Sequence, residues 1–255
     1  MSEYLLKIDR LSASYGDDDI VKDVSCGITP GEIVCIVGES GSGKSTLIKA
    51  IHGMSELRIT GGSIFFGNEE ISSLTVKERK KLMGSEIGLI PQDPGSSFNP
   101  IRKLSAQFRE AMAGHGMAYD EDRIDGLLKK IGLQQGKAVL GNRPFELSGG
   151  MNQRIAIAAA MLFEPRLLLC DEATSALDVT TAGAVVDELL KIRESRGTAI
   201  LLVTHHLGIA RRMADNIGIM KDGRLIEYGN TEKIFDAPEN EYTRKLIRDV
   251  PRLKK

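Results

Sequence analysis

One short segment constrains the fold of this chain more than any other, because three structural signals follow one another within it. Residues 32–37 form an almost continuous apolar run rich in β-branched side chains, which is typical of a strand buried on both faces of a parallel sheet. A glycine-rich stretch follows, and residues 46–51 then suit a helix. The segment therefore predicts a strand–loop–helix unit and, with it, an α/β fold.

The glycine-rich stretch matches the pattern G-x-x-x-x-G-K-[ST] through Gly38, Gly43, Lys44 and Ser45. In this pattern the glycines allow backbone N–H groups to converge on phosphate oxygens, and the helix N-terminus adds its positive dipole end. Lys44 is expected to reach the β- and γ-phosphates, and the Ser45 hydroxyl to bind Mg²⁺. An ordinary glycine-serine loop is the alternative, and the flanking strand and helix argue against it. The residues expected to bind a nucleotide here are Gly38, Glu39, Ser40, Gly41, Ser42, Gly43, Lys44, Ser45 and Thr46.

Charge and hydropathy exclude several classes of function. The 255-residue chain has 34 basic and 35 acidic residues and a formal net charge of −1, so we expect no nucleic-acid partner. No apolar run approaches the about 20 residues of a membrane span, and the N-terminal residues lack signal-peptide features, so we expect a cytosolic location. Cys35 and Cys170 lie in apolar runs and are expected to act as small buried side chains.

The patterns along the chain also indicate its organisation. Short apolar runs separated by turns, at residues 5–29 and again at 61–67, predict an antiparallel patch beside the main sheet. Helical patterns replace strands between residues 94 and 163, and the α/β rhythm then returns. A hairpin is predicted around residues 221–223. We therefore expect one domain over residues 1–255, with a core at 1–93 and 164–255 and a helical subdomain at 94–163.

An acidic pair follows the buried run at residues 166–170. A carboxylate at the C-terminal end of a buried strand is where α/β sheets place ligand chemistry. Asp171 is expected to bind Mg²⁺, usually through water, and Glu172 to act as the base that polarises an attacking water. The alternative is a solvated Asp-Glu pair at a helix start, which the upstream phosphate loop disfavours.

Two further candidates follow other strand-like runs. His205 ends the apolar run at residues 199–204 and could donate to a γ-phosphate, whereas the adjacent His206 points to the opposite face if the strand continues. Gln92 follows the run at 87–90, where its amide could touch Mg²⁺ or the attacking water. Without the other motifs, Gln92 would be interpreted as an ordinary polar loop residue.

A second glycine-containing helix start occurs at Ser148, Gly149 and Gly150, before a segment rich in isoleucine and alanine. It is another anion-binding helix N-terminus, and it lies within the helical part, far in sequence from the first. Its simplest use is to complete a phosphate site on another copy of the fold.

Taken together, these motifs resemble the ATP-binding subunit of ABC transporters over nearly the whole chain, from residue 5 to about 246. The matching motifs, in the order of the family, are the phosphate loop at 38–46, Gln92, Leu147-Ser148-Gly149-Gly150, Asp171-Glu172, Ser175-Ala176-Leu177-Asp178 and His205. The resemblance implies a RecA-like P-loop NTPase core with an N-terminal antiparallel β patch and an inserted α-helical subdomain. It also implies that Tyr15 stacks on adenine and that Asp178 lies across a dimer interface.

Residues 91–100 and 237–243 resemble the group of importers for peptides, nickel or a metal chelate, although Glu241 stands where that group has proline. Met151 and Ala173 also depart from the usual motifs, and neither departure removes a catalytic group. The resemblance implies an ATPase that uses Mg²⁺ and energises transport through head-to-tail dimer closure and reopening. The alternative is a non-transport ABC protein, such as an ATPase-like subunit of a carbon–phosphorus lyase system.

The resemblance further implies a set of partners. They are a second ABC ATPase subunit, identical or paralogous, two transmembrane permease subunits and, indirectly, an extracytoplasmic substrate-binding protein. The expected location becomes the cytoplasmic face of the cell membrane, reached through the permeases.

Overall fold

A computed structural model describes residues 3–174 and 179–248. The predicted site residue Asp178 lies outside the described residues. The strands are β1 Leu6–Ser14, β2 Asp19–Ile28, β3 Ile33–Val37, β4 Arg58–Phe66, β5 Glu69–Glu70, β6 Ile87–Ile90, β7 Leu167–Asp171, β8 Ala199–Thr204, β9 Asn216–Lys221 and β10 Arg224–Asn230. The helices are α1 Lys44–His52, α2 Val76–Leu82, α3 Leu104–Gly114, α4 Glu121–Lys130, α5 Gly136–Leu140, α6 Gly149–Ala160, α7 Val179–Arg196, α8 Leu207–Met213, α9 Thr231–Asp236 and α10 Glu241–Arg248.

The main sheet has six strands in the order β10-β9-β3-β8-β7-β6, and only β10 pairs antiparallel to its neighbour. Strands β3, β7 and β8 are buried at every residue. In β3 the alternate side chains Cys35 and Ile36 enter different apolar clusters, one on each face of the sheet. This double burial explains why the strand is apolar throughout.

The carboxyl ends of the central strands lie at one edge of the sheet, because the strands are parallel and in register. Val37 pairs with Thr204, and Asp171 pairs with Val203. The loops that follow β3, β7 and β8 therefore begin side by side, which is where ligand sites occur in such sheets.

A second, antiparallel sheet has the order β2-β1-β4-β5, so the predicted antiparallel patch is confirmed. Helix α1 connects the two sheets. Its side chains Leu47, Ile48 and Ile51 are buried in the same apolar cluster as Ile8 of β1 and Leu169 of β7. The helix that begins at the glycine-rich loop is thus fixed on both sides by apolar packing.

Residues 94–163 contain helices α3 to α6 and no strand. Their inward side chains, which include Phe108, Met112, Ile124 and Ile155, join the apolar cluster on the other face of the main sheet. The predicted helical character of this region is confirmed, while its status as a separate subdomain stays a prediction.

The predicted hairpin forms between β9 and β10. Asp222 and Gly223 have φ values of 49° and 84°, as the twist of a two-residue hairpin turn requires. The Gly223 N–H donates to the Ser42 carbonyl at 3.1 Å, and the Gly223 carbonyl accepts from Lys22 N–H at 2.8 Å. The turn therefore joins β2 to the glycine-rich loop.

Candidate nucleotide-binding site

The glycine-rich loop connects β3 to α1 and is packed closely against the hairpin. A Cβ at Gly38 would lie 2.2 Å from the Met220 carbonyl oxygen, so this position has no room for a side chain. The hairpin thus supports the loop from behind and leaves its other side to face a cavity.

Lys44 is the first residue of α1, and its ammonium lies inside the loop. It donates to the carbonyls of Gly38 at 2.9 Å and Glu39 at 2.7 Å. Burial lowers the pKa of Lys44, and the carboxylates of Glu172, Asp171 and Glu39 oppose that effect. The surrounding charge therefore favours a cation at the centre of the loop.

Ser45 and Asp171 lie next to each other, although Ser45 is in the first turn of α1 and Asp171 ends β7. The Ser45 Oγ donates to Asp171 Oδ1 at 2.7 Å. Burial raises the pKa of Asp171; the Ser45 hydrogen bond lowers it and the nearby Glu172 charge raises it further. Adjacent hydroxyl and carboxylate oxygens are the donors that Mg²⁺ prefers, and a cation would offset the cost of burying the carboxylate. The residues present therefore fit this metal.

Glu172 occupies an unusual backbone conformation directly after β7. Its φ is 46°, in the left-handed region, and its N–H donates to the Val203 carbonyl at 2.9 Å. Its Oε2 accepts from Gln92 Nε2 at 3.3 Å, and its Oε1 lies 3.3 Å from His205 Nδ1. Three candidates from three separate loops therefore meet at one carboxylate.

The two adjacent histidines take different positions. His205 lines the cavity, while His206 caps α8 and its ring lies against that of His205 at a centroid distance of 4.0 Å. Burial, together with the neighbouring His205, lowers the pKa of His206. His206 was expected on the opposite face only if the strand continued, and β8 ends at Thr204, so that condition is not met.

The cavity beside the loop has a volume of about 550 Å³ and opens to solvent. Its lining combines residues of the glycine-rich loop with Gln92, Glu172 and His205. The lining residues are Ile20, Ser40, Gly41, Gly43, Lys44, Ser45, Thr46, Gln92, Glu172 and His205. Ile20 was not predicted, because a single isoleucine in a turn-rich region carries no local signal of its role.

Tyr15 lies near this cavity but is not part of its lining. It belongs to the connection between β1 and β2, and its ring faces the ammonium of Lys49 on α1 at 5.6 Å. The residue as a whole is 43% exposed.

The second glycine-containing helix start lies apart from the cavity. The Ser148 Oγ accepts from Met151 N–H at 3.3 Å and caps α6. A Cβ at Gly149 would meet nothing within 4 Å. Among the described residues, neither Ser148, Gly149 nor Gly150 contributes to the lining of the cavity.

Comparison with known proteins now identifies the class. The model of the ABC transporter family matches residues 21–175. An oligopeptide transport ATP-binding protein, OppD of Lactococcus lactis subsp. cremoris, is 38% identical over 98% of this chain and 77% of its own length. A dipeptide transport ATP-binding protein, DppD of Escherichia coli, is 36% identical over 97% of this chain and 78% of its own length.

Solved structures of related proteins have the same fold. The ATP-binding cassette MJ0796, in a dimeric post-hydrolysis state with ADP and Pi, has a TM-score of 0.79 at 28% identity, covering 89% of this chain and 98% of that one. The cbiO1 protein of Clostridium perfringens, part of the ABC transporter complex cbiONQ, has a TM-score of 0.78 at 30% identity, covering 98% and 97%.

The chain belongs to the ABC transporter family. It has the ATP-binding cassette fold, binds ATP and is an ATPase. The predicted fold class, family and enzymatic activity are confirmed. Within the described residues, none of the helices has both the length and the hydropathy needed to cross a bilayer.

Proposed function

We propose that this ATPase is the energising subunit of an ABC importer for peptides. The observation that carries the proposal is its similarity, over 97–98% of its length, to ATP-binding proteins of oligopeptide and dipeptide transport. The sequence motifs also resemble those of importers for nickel or a metal chelate. The names of these relatives favour peptides over nickel or a metal chelate. The comparisons do not favour the carbon–phosphorus lyase alternative.

In this proposal the glycine-rich loop holds the phosphates of ATP. Backbone N–H groups of residues 38–46 and the N-terminus of α1 face the phosphate oxygens, and Lys44 donates to the β- and γ-phosphates. Tyr15 stacks on the adenine through its exposed ring face. The geometry supports this arrangement because the ammonium already lies within the loop.

The metal would be held by Ser45 and Asp171, with Gln92 as a further oxygen donor. When bound, Mg²⁺ would neutralise charge on the phosphate oxygens. The buried Asp171 carboxylate, hydrogen-bonded to Ser45, supports this assignment.

Hydrolysis of ATP to ADP and phosphate needs a base for the attacking water. Glu172 takes this role: its carboxylate accepts a proton from the water as the oxygen bonds to the γ-phosphorus and the ADP oxygen departs. Gln92 and His205 hold the carboxylate between them, which orients it toward the cavity. His205 also donates to the γ-phosphate.

The site is completed by a second subunit. Ser148, Gly149 and Gly150 of that subunit meet the γ-phosphate from the opposite side, so ATP satisfies two helix N-termini at once. ATP binding then closes a head-to-tail dimer, and hydrolysis reopens it. Asp178 is proposed to link the two sites across the interface.

The membrane partners dock on a different surface. A groove of about 460 Å³ separates the core from the helical part, and its lining includes Gly88, Phe98, Ala111 and Ala156. We place a short cytoplasmic helix of a permease in this groove. Gln92 donates to Glu172 and lies in sequence between Leu89 and Phe98, which both line the groove, and it transmits the movement of the permease helix. The full assembly has a second ATPase subunit, two permeases and, indirectly, a substrate-binding protein, at the cytoplasmic face of the cell membrane.

Co-purification tests the proposal. Tagged Glu172→Gln protein is expressed in its native host, membranes are solubilised with mild detergent and ATP–Mg²⁺, and partners are identified by mass spectrometry. Two permeases, with or without a paralogous ATPase, are expected. A matched Ala111→Arg variant, with a charged side chain in the groove, should lose the permeases but keep the second ATPase. Recovery of soluble enzyme subunits without a permease would refute the transport role.

A further inference from the structure

Residues 99–102 form a β-turn with an isoleucine at its exposed corner. The Arg102 N–H donates to the Asn99 carbonyl at 3.3 Å, which closes the turn over Pro100 and Ile101. Ile101 is 72% exposed, more than any other large apolar residue in the described chain. Turn corners usually carry glycine, asparagine, aspartate or serine rather than a β-branched apolar residue. A single exposed apolar side chain is ordinary by itself, but the way this turn is held is not.

One side chain of α3 holds the backbone of the turn. Gln107 Oε1 accepts from Asn99 N–H at 2.7 Å, and Gln107 Nε2 donates to the carbonyls of Asn99 and Arg102, each at 3.0 Å. Asn99 and Arg102 are exposed, whereas Gln107 is half-buried. Water would satisfy the polar groups of an exposed turn equally well. The three hydrogen bonds therefore fix the shape of the turn.

Ile101 is also fixed at both of its own backbone polar groups. Its N–H donates to Asn99 Oδ1 at 3.2 Å, and its carbonyl accepts from Arg143 Nε at 3.1 Å. Beside it, the Arg102 guanidinium donates to both carboxylate oxygens of Glu110 on α3. The exposed side chain thus projects from a backbone that has little freedom left to lose. Binding through such a side chain costs less conformational entropy than binding through a mobile loop.

The turn continues the wall of the groove that we assign to the permease. Phe98, directly before the turn, lines the groove, and so do Gln107 and Glu110, which hold the turn. Ile101 itself does not line the groove, so it lies next to the groove rather than within it. A permease helix seated in the groove would therefore have the exposed isoleucine beside it.

We propose that Ile101 is a docking contact for the permease, presented by the pinned turn and covered by an apolar surface next to the cytoplasmic helix in the groove. The inference rests on the proposed transport function and on the groove as the permease site, and it adds a specific anchor to that site. Among the described residues, none of the turn lines the catalytic cavity. The contact is thus separate from ATP binding.

Co-purification measures the contact as the amount of permease recovered per tagged chain, in the Glu172→Gln background with ATP–Mg²⁺. Adding Ile101→Ser should lower that amount on the order of tenfold, as for the loss of an apolar anchor at an interface. Recovery of the second ATPase should stay the same. Val76→Ser is the matched control, because Val76 is also large, apolar and 54% exposed and does not line the groove. It should retain the permeases.

Two changes at Asn99 test the pinned backbone. Asn99→Ala removes the acceptor of the Ile101 N–H and should lower permease recovery by a smaller factor, on the order of threefold. Asn99→Asp keeps an oxygen acceptor at the same position and should restore recovery. Equal recovery with both variants would overturn the role of the pinned backbone.

Three results would count against the proposal in different ways. Undiminished permease recovery with Ile101→Ser would overturn the inference. So would loss of the second ATPase with the permeases retained, because the turn would then belong to the interface between the two ATPases. If no permease is recovered even without a change at Ile101, the transport role itself fails.

Discussion

The starts of α1 and α6 both lie at glycines, Gly43 and Gly149, and their surroundings differ. The start of α1 is supported by the β9–β10 hairpin and faces a cavity lined by Lys44, Gln92, Glu172 and His205. The start of α6 is capped by Ser148, and the side chains of the cavity do not surround it in the described part of the chain. The proposed catalytic groups around the first start all belong to one chain. We infer that the second meets its anion on another molecule.

The largest effect should come from removing the base while both helix starts stay intact. Glu172→Gln is expected to lower kcat by about 10²–10⁴-fold, because the amide cannot accept the proton of the attacking water. The Kd for ATP should change little, so a closed dimer should accumulate. Phosphate release and size-exclusion chromatography with ATP–Mg²⁺ measure both effects.

Glu194→Gln, an exposed position on α7, is the matched control and should behave like the unmodified protein. Brisk multiple turnover in Glu172→Gln would remove Glu172 as the base. A monomer that binds ATP but never dimerises would contradict the proposal that the two helix starts bind one ATP between two subunits.

A charge at the second helix start distinguishes the two sites directly. Gly149→Asp fits sterically, since the position is open, and an acidic residue suits the first turn of a helix. The new carboxylate would face the γ-phosphate of the ATP bound to a second subunit. Like-charge repulsion should therefore lower the rate of hydrolysis on the order of 100-fold. ATP binding to the monomer should stay unchanged.

The matched control is Gly126→Asp on α4, where a Cβ is also unobstructed. It should retain full hydrolysis. If Gly149→Asp weakened ATP binding to the monomer instead, the second helix start would belong to the same site as the first.

A smaller effect is expected at the edge of the first site. Tyr15→Ala should raise the Kd for ATP on the order of tenfold, the usual contribution of one stacked base. GTP should weaken equally, because stacking alone does not read base identity, and Tyr15→Phe should bind like the unmodified protein. Fluorescence titration with both nucleotides measures this, and a loss confined to ATP would mean that Tyr15 also recognises the adenine edge.

The smallest predicted effect concerns the thermal stability of the protein without ligand, through the buried carboxylate of the first site. Burial raises the pKa of Asp171, so its charge disfavours the folded state above the unfolded pKa. Asp171→Asn should therefore raise the Tm by about 2–4 °C near neutral pH. The difference should shrink as the pH falls through the folded pKa, because the native carboxyl is then neutral too. Thermal melts across this range measure it, and a lower Tm for Asp171→Asn would contradict the expected direction.

Sequence patterns are local. They predict the strands and the residues that follow them, but they do not predict contacts between distant segments. Continuous apolar runs mark β3, β7 and β8, and parallel pairing brings the residues after them together. The position of Gln92 after β6 and of Glu172 after β7 therefore predicts both as site residues, and their side chains are 3.3 Å apart in the structure. Helix α2 was not predicted, because its sequence is mostly charged, although Thr75 and Glu78 form a capping box that could have indicated it.

Contacts between distant segments left no such trace. The hydrogen bond from Gly223 N–H to the Ser42 carbonyl depends on how the hairpin packs against the glycine-rich loop, which periodicity does not encode. A site shared between two molecules is further still from local patterns. For that reason the pairing of Ser148 with a phosphate on a second subunit stays a prediction.

The left-handed backbone at Glu172 has a consequence for engineering this protein. A non-glycine residue in that conformation costs roughly 1–2 kcal/mol, and glycine would relieve the strain. Laboratory evolution that selects only for heat resistance would therefore be drawn toward glycine at position 172. With Glu172 as the proposed base, such variants would become more stable and lose turnover in the same step. Selection for heat resistance therefore needs a test of activity at every round.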